Sequence, residues 1–389
     1  MHAEIIATGS ELLLGEQVDT NSTFIARKLR EIGLNLYFKT VVGDNEGRMA
    51  EALSIALGRS DVVITTGGLG PTVDDVTRPA VARATGRELI FRDDLLAQIE
   101  ARFRVYGVPM GENNHRQAYV PSGAIPIENP VGTAPAFIVE DHGRIIISLP
   151  GVPREMEYLI EHAVLPYLRE KLNLTEVIVI RTLHTVGQGE SRIDEAIGEL
   201  ETASNPTVGL SAKAGQVDIR ITAKAATRGE AEALIAGMEA RVRERVGAHV
   251  FGADEDTLEG VLARQLTARG MSLASIEYGT GGALSGRLSR LGGAYRGGLM
   301  LTQLDSFDVA TATRAAQDVQ AAQGGSLGLA VLMRAAPDGQ GQQLIIALTG
   351  AGEPRIVERG FGGHSGYAPQ WASTAALGLA WRVTRDHDR

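Results

Sequence analysis

The sequence predicts an α/β protein whose N-terminal part is a doubly wound parallel sheet, followed by a small α+β module and a further α/β unit. Three observations support this prediction. Strand-like and helix-like patterns alternate over residues 1–68, which is typical of a parallel sheet with helices on both faces. Between residues 175 and 252, two half-exposed strand patterns are each followed by a helix. From residue 253, a helix and the strand SLASIEYGTGG begin the third unit.

The first elements follow from hydrophobic periodicity. AEIIATG, NLYFKTVVG and DVVITTGG read as strands, and the helices NSTFIARKLREIGL and NEGRMAEALSIALGRS lie between them. A further helix is predicted over 93–107, after which AFIVE and RIIISLPG return as strands to the same edge of the sheet, before a last helix that closes the domain near Leu172. The side chains predicted to face the core from the first two helices are Phe24, Ile25, Leu29, Ile32, Met49, Leu53, Ala56 and Leu57.

Length and composition limit the class of protein. A chain of 389 residues with 44% hydrophobic side chains is long enough for two or three domains, and we place them at 1–172, 173–252 and 253–389. The net charge of −9 makes a nucleic-acid backbone an unlikely partner. The absence of cysteine excludes disulfides and thiolate metal sites. The start MHAEIIATGS lacks a basic n-region, and no stretch has the length of a membrane span, so we expect a cytoplasmic protein without a membrane partner.

The stretch TTGGLGPTVDD, residues 65–75, directly follows a predicted strand. A glycine turn at the start of the next helix exposes backbone N–H groups that favour a phosphate. The turn would contribute Thr66, Gly67, Gly68, Gly70 and Thr72. Asp74 and Asp75 cannot bind phosphate directly, but they suit a divalent cation that bridges carboxylate and phosphate oxygens. The structural alternative is that both aspartates only stabilise the beginning of a helix.

Two further polar clusters lie in loops. TGSELLLGEQVDTNS supplies Thr8, Gly9, Ser10, Glu11, Asp19 and Asn21 after the first strand, and NPVGTAP supplies Asn129, Gly132 and Thr133. Ligands of open α/β sheets bind outside the carboxyl ends of the strands, so polar turns at neighbouring strand ends suit a nucleotide-like ligand. The structural alternative for Asp19 is that it only caps the helix that follows.

Several motifs in fixed order resemble a known family. TGSELLLGEQVDTNS, TTGGLGPTVDD, NPVGTAPAF and LPGVPREM are similar to segments of the CinA family of competence/damage-inducible proteins. The resemblance implies a MoaB/MogA-like, molybdopterin-binding type of doubly wound sheet at the N-terminus. VGQGESRIDEAI and VDIRITAKA resemble that family's small KH-like linking domain, and the third unit resembles its C-terminal amidohydrolase domain.

The resemblance also implies an activity, namely hydrolysis of ADP-ribose to AMP and ribose 5-phosphate within pyridine-nucleotide recycling. In that case the glycine–threonine turn would hold phosphate, and Asp74 and Asp75 would hold a divalent metal, Mg²⁺ or Co²⁺, or orient the attacking water. Glu11, Asp19 and Asn21 would contact ribose or the metal, and Asn129, Gly132 and Thr133 would complete the pocket.

The third unit departs from its family at the residues that carry chemistry. The family's deamidase domain, which acts on nicotinamide mononucleotide, has a serine nucleophile in A-E-S-C-T-G-G and a tyrosine and lysine in Y-S-N-E-x-K. Here Tyr278, Thr302 and Phe307 fall at those three positions, and LMRAAPDGQ replaces a T-G-I-A-G-P loop. Because phenylalanine cannot accept a proton and a phenol is a poorer nucleophile in such a site, we expect the deamidase function to be lost.

Other functions remain open at this stage. The first fold is shared with proteins that bind or adenylylate molybdopterin, and a non-catalytic role in competence or damage responses is also compatible with the sequence. KH-like modules often bind RNA, but this one has no basic stripe, so we expect a structural or dimer-forming linker and a homodimer. The isolated histidines are interpreted as surface or satisfied core residues: His115, His142, His184 and His249.

Overall fold

The computed structural model describes residues 1–337, 339–362 and 364–386. These residues form two compact units. One contains Met1–Val179 and Lys224–Ala231, and the other contains Ile180–Ala223 and the residues from Glu232 onward. Most of the middle module thus belongs to the same compact unit as the C-terminal residues, and the division into three domains stays a prediction.

The first unit is built on a six-stranded sheet. The strands of this unit are, in chain order, β1 His2–Thr8, β2 Asn35–Val42, β3 Val62–Thr66, β4 Leu89–Phe91, β5 Tyr119–Pro121, β6 Ile125–Ile127, β7 Ala136–Asp141 and β8 Arg144–Leu149. β4 and β5 form a separate two-stranded ribbon, and the other six form the sheet. The sheet order is β2-β1-β3-β8-β7-β6. The first four of these are parallel, β7 is antiparallel to β8, and β6 is antiparallel to β7. The carboxyl ends of four strands therefore meet at one edge.

Helices cover both faces of this sheet, as expected for a doubly wound fold. They are α1 Ser10–Leu13, α2 Thr20–Glu31, α3 Glu46–Arg59, α4 Thr77–Ala84, α5 Asp93–Tyr106, α6 Pro153–Leu159 and α7 Leu165–Leu172. A π-helical turn, Ile160–Val164, joins α6 to α7, and a 3-10 helix covers Glu112–Ala118. The predicted helix ending at Leu172 is thus present, with one wide turn.

Side chains of β1 alternate between two cores. Ile5 packs in the core that includes α2, and Ile6 packs in the core that includes α3. Of the predicted inward residues, Ile25, Leu29, Ile32, Met49, Leu53 and Ala56 are buried, and Phe24 and Leu57 are partly buried against the same cores.

The middle module is a four-stranded sheet with two helices. Its elements are β9 Val177–Val186, α8 Glu190–Glu201, β10 Thr207–Lys213, β11 Gln216–Ala225, α9 Arg228–Val246 and β12 Val250–Ala253, with a 3-10 turn at Gly247–His249. The sheet order is β10-β11-β9-β12. His184 is a satisfied core residue, as predicted, because its ring nitrogens lie 2.7 Å from Asp218 Oδ1 and 2.8 Å from the carbonyl of Asp254.

The C-terminal part of the second unit is a mixed five-stranded sheet. Its elements are α10 Leu258–Ala268, β13 Leu273–Tyr278, α11 Ala283–Leu288, β14 Tyr295–Leu301, α12 Val309–Gln323, β15 Leu327–Ala335, β16 Gln342–Thr349, β17 Arg355–Phe361 and α13 Ala368–Asp386, with 3-10 turns at Ser289–Ala294 and Ser365–Tyr367. The order is β14-β13-β15-β16-β17. β14, β13 and β15 are parallel, β16 is antiparallel to β15, and β17 is antiparallel to β16. Buried clusters lie on both faces of the sheet.

None of the helices within the described ranges is both long enough and apolar enough to cross a lipid bilayer.

Candidate functional site at the carboxyl edge of the first sheet

A cleft lies at the carboxyl edge of the first sheet, where the loops after β1, β3 and β8 meet. Its volume is about 110 Å³. Six predicted residues line it, namely Thr8, Glu11, Asp19, Asn21, Thr66 and Gly67. They come from two loops far apart in sequence, and the loop after β8 adds Gly151 and Pro153.

Asn21 connects the three loops. Its side-chain Nδ2 donates to Thr66 Oγ1 at 3.1 Å and to the carbonyl of Gly151 at 2.7 Å. Its Oδ1 is buried and has no hydrogen-bond partner among the described residues. A buried amide oxygen without a partner is costly, so this atom is an acceptor that a bound ligand or water could satisfy.

The two carboxylates of the cleft differ in their freedom. Asp19 Oδ1 accepts from the backbone N–H of Ser22 at 2.8 Å, so Asp19 caps α2, which is the structural alternative for this residue. The Glu11 carboxylate lies over Gly9, where a β-carbon would be only 2.5 Å from Glu11 Oε1. Because Asp19 caps α2, Glu11 is the cleft carboxylate that is not used as the cap of that helix.

The glycine turn after β3 needs its glycines. Gly67 and Gly68 have φ of 101° and 67°, in the left-handed region that other residues rarely adopt. A β-carbon on Gly67 would lie 2.4 Å from the backbone carbonyl oxygen of Thr8, which cannot move away without disturbing β1. The turn is thus held close to the loop after β1.

Thr77, at the beginning of α4, fixes the direction of the turn's peptide groups. Its hydroxyl donates to the carbonyl of Gly67 at 2.8 Å, and its backbone N–H donates to the carbonyl of Gly68 at 3.2 Å. In a trans peptide the carbonyl and the following N–H point in opposite directions. The N–H groups of Gly68 and Leu69 therefore point away from Thr77, and they have no partner among the described residues.

Other amides of the same loop are already used. The N–H of Gly67 donates to the carbonyl of Leu149 at 3.0 Å. The carboxylate of Asp75 accepts from the backbone N–H groups of Gly70 and Thr72, each at 2.7 Å, and from the Thr72 hydroxyl at 2.5 Å. This corrects the expectation that Gly70 and Thr72 present their amides to phosphate, because Asp75 already accepts from them.

Asp75 and Asp74 therefore have different environments. Both oxygens of Asp75 are engaged within the loop, so this carboxylate braces the turn. Asp74 is exposed. Neither residue lines the cleft. Of the predicted pair, Asp74 is the exposed one, and a hydrogen bond from the Thr72 side chain lowers the pKa of its carboxyl.

A buried arginine supports the loop from below. Arg78 of α4 is 3% exposed, and it donates from Nη2 to the carbonyl of Leu69 at 2.7 Å and from Nη1 to that of Gly70 at 3.3 Å. Burial lowers the pKa of Arg78 to about 10, with the charge of Asp75 acting in the opposite direction. Arg78 is still protonated at neutral pH, so the loop is held between a buried cation and the Asp75 carboxylate.

Two of the predicted site residues next to β1 face another loop. The backbone N–H of Ser10 donates to Asp44 Oδ2 at 2.8 Å, and the N–H of Asp44 donates to the Ser10 hydroxyl. The N–H of Gly9 donates to the carbonyl of Val42. Gly9 and Ser10 thus join the loop after β1 to the loop after β2, and they do not line the cleft.

Asn129, Gly132 and Thr133 line a second, smaller cavity. Asn129 Nδ2 donates to Glu155 Oε2 at 2.6 Å and to the carbonyl of Ala134 at 3.0 Å. Burial raises the pKa of Glu155, with Asn129 acting in the opposite direction. The structure thus places this group beside Glu155 and outside the main cleft, in contrast to the single pocket expected from the sequence.

Sequence reasoning missed four residues that shape this region: Thr77, Arg78, Gly151 and Glu155. Glu155 and Gly151 occur in LPGVPREM, and the signal was available, because RIIISLPG was predicted to end at the same edge as the glycine turn. Thr77 and Arg78 follow the two aspartates directly, but no spacing rule distinguishes a residue that supports a loop from an ordinary helix residue.

The corresponding edge of the second unit has lost the groups expected of a deamidase. Tyr278 ends β13 and is half-buried, and Thr302 is exposed just after β14. The Phe307 ring lies 4.2 Å from the guanidinium carbon of Arg334, so a cation–π contact occupies the position of the expected lysine. Asp338 of the segment LMRAAPDGQ lies outside the described residues.

The serines near this edge are engaged elsewhere. Ser275 is fully buried, with its hydroxyl 2.8 Å from that of Tyr295. The Ser285 hydroxyl donates to the buried carboxylate of Glu277, which also accepts from the Thr280 hydroxyl and from the backbone N–H of Leu284. These hydrogen bonds tie Ser285 and Glu277 to the turn, so the pair supports the turn.

The fold and the cleft define the class of protein, and comparison with known proteins agrees. Residues 4–170 match the family model described as "Probable molybdopterin binding domain", and residues 180–252 match the "Damage-inducible protein CinA KH domain". The protein is thus an α/β protein with a molybdopterin-binding type of domain, a KH domain and a further α/β part, which confirms the predicted fold class.

The chain belongs to the CinA family of competence-damage inducible proteins. It is 38% identical over 373 residues to a protein of Clostridium novyi named "Putative competence-damage inducible protein", covering 90% of each chain. It is 43% identical over 303 residues to a protein of the same name from Halothermothrix orenii, covering 77% of this chain and 73% of that one. The family predicted from the four sequence motifs is thereby confirmed.

Among solved structures, the chain is similar to "the protein CinA with unknown function" from Thermoplasma acidophilum, with 38% identity over 44% of this chain and 97% of that one and a TM-score of 0.40.

Proposed function

We propose that the first unit hydrolyses the diphosphate of ADP-ribose, with AMP and ribose 5-phosphate as products. The observation that carries the proposal is the glycine turn after β3. Its Gly68 and Leu69 amides have no partner within the described part of the chain and are oriented by Thr77, and this arrangement suits a phosphate.

The size of the cleft indicates which part of the substrate it encloses. Its volume of about 110 Å³ is below the ~300 Å³ from which pockets enclose a whole small-molecule ligand. The Asn21 Oδ1 acceptor and the Glu11 carboxylate suit the hydroxyls of a ribose, so the ribose is the part that enters. The phosphates would lie at the Gly68 and Leu69 amides, which do not line the cleft. The rest of the nucleotide would lie over the surrounding loops.

The residues fit a divalent metal that arrives with its substrate. Among the described residues, no three His, Asp or Glu side chains converge as a metal site. Mg²⁺ commonly binds through one or two carboxylates together with substrate phosphates and water, and the exposed Asp74 and the cleft residue Glu11 are the predicted carboxylates that would hold it. When bound, such a metal would neutralise charge on the diphosphate. A metal-assisted site with few protein ligands is therefore the form of the proposal.

Hydrolysis adds one water molecule across the P–O–P linkage. The water oxygen forms a bond to one phosphorus, the bridging oxygen leaves with the other phosphate, and the water's protons are released. Glu11 is the cleft carboxylate available to accept a proton, since Asp19 caps α2. The Gly68 and Leu69 amides would stabilise negative charge as it develops on the phosphate oxygens.

The direct test is incubation of the purified protein with ADP-ribose and Mg²⁺ or Co²⁺, with AMP measured by chromatography. We expect AMP and ribose 5-phosphate in equal amounts, in proportion to enzyme, and loss of release after addition of EDTA. AMP release that EDTA does not reduce would contradict the metal requirement, and no release with either metal would contradict the activity.

The second candidate is a molybdopterin-binding or adenylylating protein. The observation in its favour is the family model that matches residues 4–170 and names molybdopterin. The same incubation distinguishes the candidates. Binding of a pterin or a nucleotide without release of AMP would favour the second candidate. It would also be compatible with a non-catalytic role in the competence and damage response for which the relatives are named.

We infer that the protein forms a homodimer. Strand β2 is an edge of the first sheet, and it exposes Tyr37, Phe38 and Val41. An edge strand with exposed apolar side chains is a common site of association. Sedimentation equilibrium should give twice the chain mass of 41.3 kDa, and a Tyr37→Lys variant should shift the distribution toward monomer, whereas a monomeric parent protein would contradict the inference.

The C-terminal part should release no ammonia from nicotinamide mononucleotide. The positions of the family's serine, tyrosine and lysine hold Tyr278, Thr302 and Phe307, and catalytic groups of this kind act as a unit. Tyr278→Ser alone should also be inactive, because Phe307 offers no base. Ammonia is measured in a coupled assay, and steady release in proportion to enzyme would show that the deamidase function persists.

A further inference from the structure

A separate cavity lies inside the second unit, between the KH domain and the C-terminal sheet. Its volume is about 380 Å³, within the range of roughly 300–1,000 Å³ that is typical of small-molecule sites. The KH domain contributes the turn before α8 and the hairpin turn between β10 and β11. The C-terminal part contributes Arg359 and Phe361 of β17 and Trp371 of α13. Neither candidate activity uses this cavity.

One wall of the cavity is aromatic. The rings of Phe361 and Trp371 have their centroids 5.0 Å apart with an interplanar angle of 31°. Both residues are only partly buried. An aromatic surface of this kind favours a flat apolar ring that can stack on it.

A second wall of the cavity is the hairpin turn between β10 and β11, which packs against α13. Gly215, in the hairpin turn, has a φ of 77°, and a β-carbon there would lie 3.0 Å from Thr374 Cβ and 3.4 Å from Trp371 Cδ1. The turn therefore approaches the helix as closely as glycine allows. This contact between the glycine backbone and two side chains of α13 fixes the hairpin beside the aromatic wall.

Arg359 is the cation that the cavity offers to a ligand. The Arg359 guanidinium is exposed and forms no ion pair or hydrogen bond with any residue that the structure describes. Lys213, also in the lining, is paired with Asp218 Oδ2 at 2.5 Å. Glu190, at the beginning of α8, supplies a carboxylate on the KH side. Arg359 is therefore the group available for an anion.

We propose that this cavity binds a small aromatic anion of the nucleoside monophosphate class. The base stacks on Phe361 and Trp371, the phosphate pairs with Arg359, and the Glu190 carboxylate accepts hydrogen bonds from the ribose hydroxyls. The guanidinium geometry matches a phosphate through two parallel hydrogen bonds. This site is independent of the proposed hydrolysis in the first unit, since all of its residues belong to the second.

The tryptophans allow a direct test. The protein has two, Trp371 in the cavity wall and Trp381, which is 2% exposed, so intrinsic fluorescence reports on the second unit alone. Titration of the full-length protein with AMP should change the tryptophan emission in a saturable manner. The change should disappear in Trp371→Phe. Absence of a saturable change in the parent protein, or its persistence in Trp371→Phe, would overturn the proposal.

Two variants separate the roles of charge and stacking. Arg359→Ala should raise the Kd for AMP about ten-fold, the loss expected for one charge-assisted hydrogen-bonding group. Arg355→Ala is the matched control, because Arg355 is an exposed arginine on the same face of β17 but does not line the cavity. Unchanged affinity in Arg359→Ala, or an equal loss in both variants, would contradict a specific phosphate contact.

Two probes test the chemical class of the ligand. Adenosine and inorganic phosphate should each bind more weakly than AMP, because each lacks one half of the recognition. Adenosine that binds as tightly as AMP would overturn the role of the anion, and phosphate that binds as tightly as AMP would overturn the role of the aromatic wall. Melting curves of all variants, expected to match the parent protein, exclude unfolding as the cause.

Discussion

Replacement of Thr77 by valine should lower the rate of AMP release from ADP-ribose about 100-fold, the loss that a small misplacement of binding groups produces. Valine keeps the shape of threonine but removes the hydroxyl that donates to the carbonyl of Gly67. Because that hydroxyl fixes the peptide between Gly67 and Gly68, the N–H of Gly68 would no longer be held toward a phosphate. The measurement is kcat/KM for ADP-ribose at saturating metal.

The same substitution should also cost some stability. Thr77 is fully buried, and a buried carbonyl that loses its donor costs about 1–3 kcal/mol. Thr77→Ser keeps the hydroxyl, so it should retain activity within a few-fold of the parent protein. This comparison separates the loss of the hydrogen bond from a general disturbance of α4.

Thr85→Val, at the C-cap of the same helix, is the matched control. The Thr85 hydroxyl donates to the carbonyl of Val81 at 2.8 Å, a local bond that does not reach the turn. We expect this variant to keep full kcat/KM. If Thr77→Val were as active as the parent, or if Thr85→Val lost as much activity as Thr77→Val, the role of Thr77 in orienting the turn would be excluded.

The first unit was predictable from the sequence because its elements are long and strongly periodic. The central strands are buried on both faces, so AEIIATG and DVVITTGG appear as continuous apolar runs, and the helices present Leu29 and Leu53 at regular spacing. The polar turns at the strand ends followed from the parallel order of the strands. These features depend on local pattern alone.

Features that depend on tertiary pairing were missed. β10 (TVGLSAK), β14 (YRGGLML) and β17 (RIVERGF) have weak or no alternation, because β14 and β17 are sheet edges with largely exposed side chains. The sequence also could not show that Asn129 reaches Glu155, which lies 26 positions further along the chain. Partner choice between distant side chains is decided by packing, which no local pattern records.

The same limit applies to the two aspartates that the sequence presents as a pair. Whether a carboxylate turns into its own loop or toward solvent depends on which backbone N–H groups face it. In the structure, Asp75 accepts three hydrogen bonds from Gly70 and Thr72, and Asp74 is exposed. The sequence alone predicts the same effect for replacement of either aspartate, whereas the structure predicts different effects.

Asp74→Asn and Asp75→Asn should consequently differ in stability. Asp74 is an exposed loop residue, so its replacement should change the free energy of unfolding by less than about 0.5 kcal/mol. In Asp75→Asn, the new amide group would face one of the loop's donors, leaving it without an acceptor at a cost of about 1–3 kcal/mol. Thermal melting should show a lower Tm for Asp75→Asn alone.

Their effects on catalysis should differ as well. Asp74→Asn should need a higher Mg²⁺ or Co²⁺ concentration for half-maximal AMP release and should lose most activity at limiting metal, because an exposed carboxylate that would share the metal with the substrate is gone. Asp75→Asn should lose activity without a change in metal dependence, since the turn is disturbed and not the metal. Asp74→Glu, which keeps the charge, should recover part of the metal affinity. Full activity of Asp74→Asn at limiting metal would remove Asp74 from the proposed site, and a Tm of Asp75→Asn equal to that of the parent protein would show that the bonds to Gly70 and Thr72 do not brace the loop.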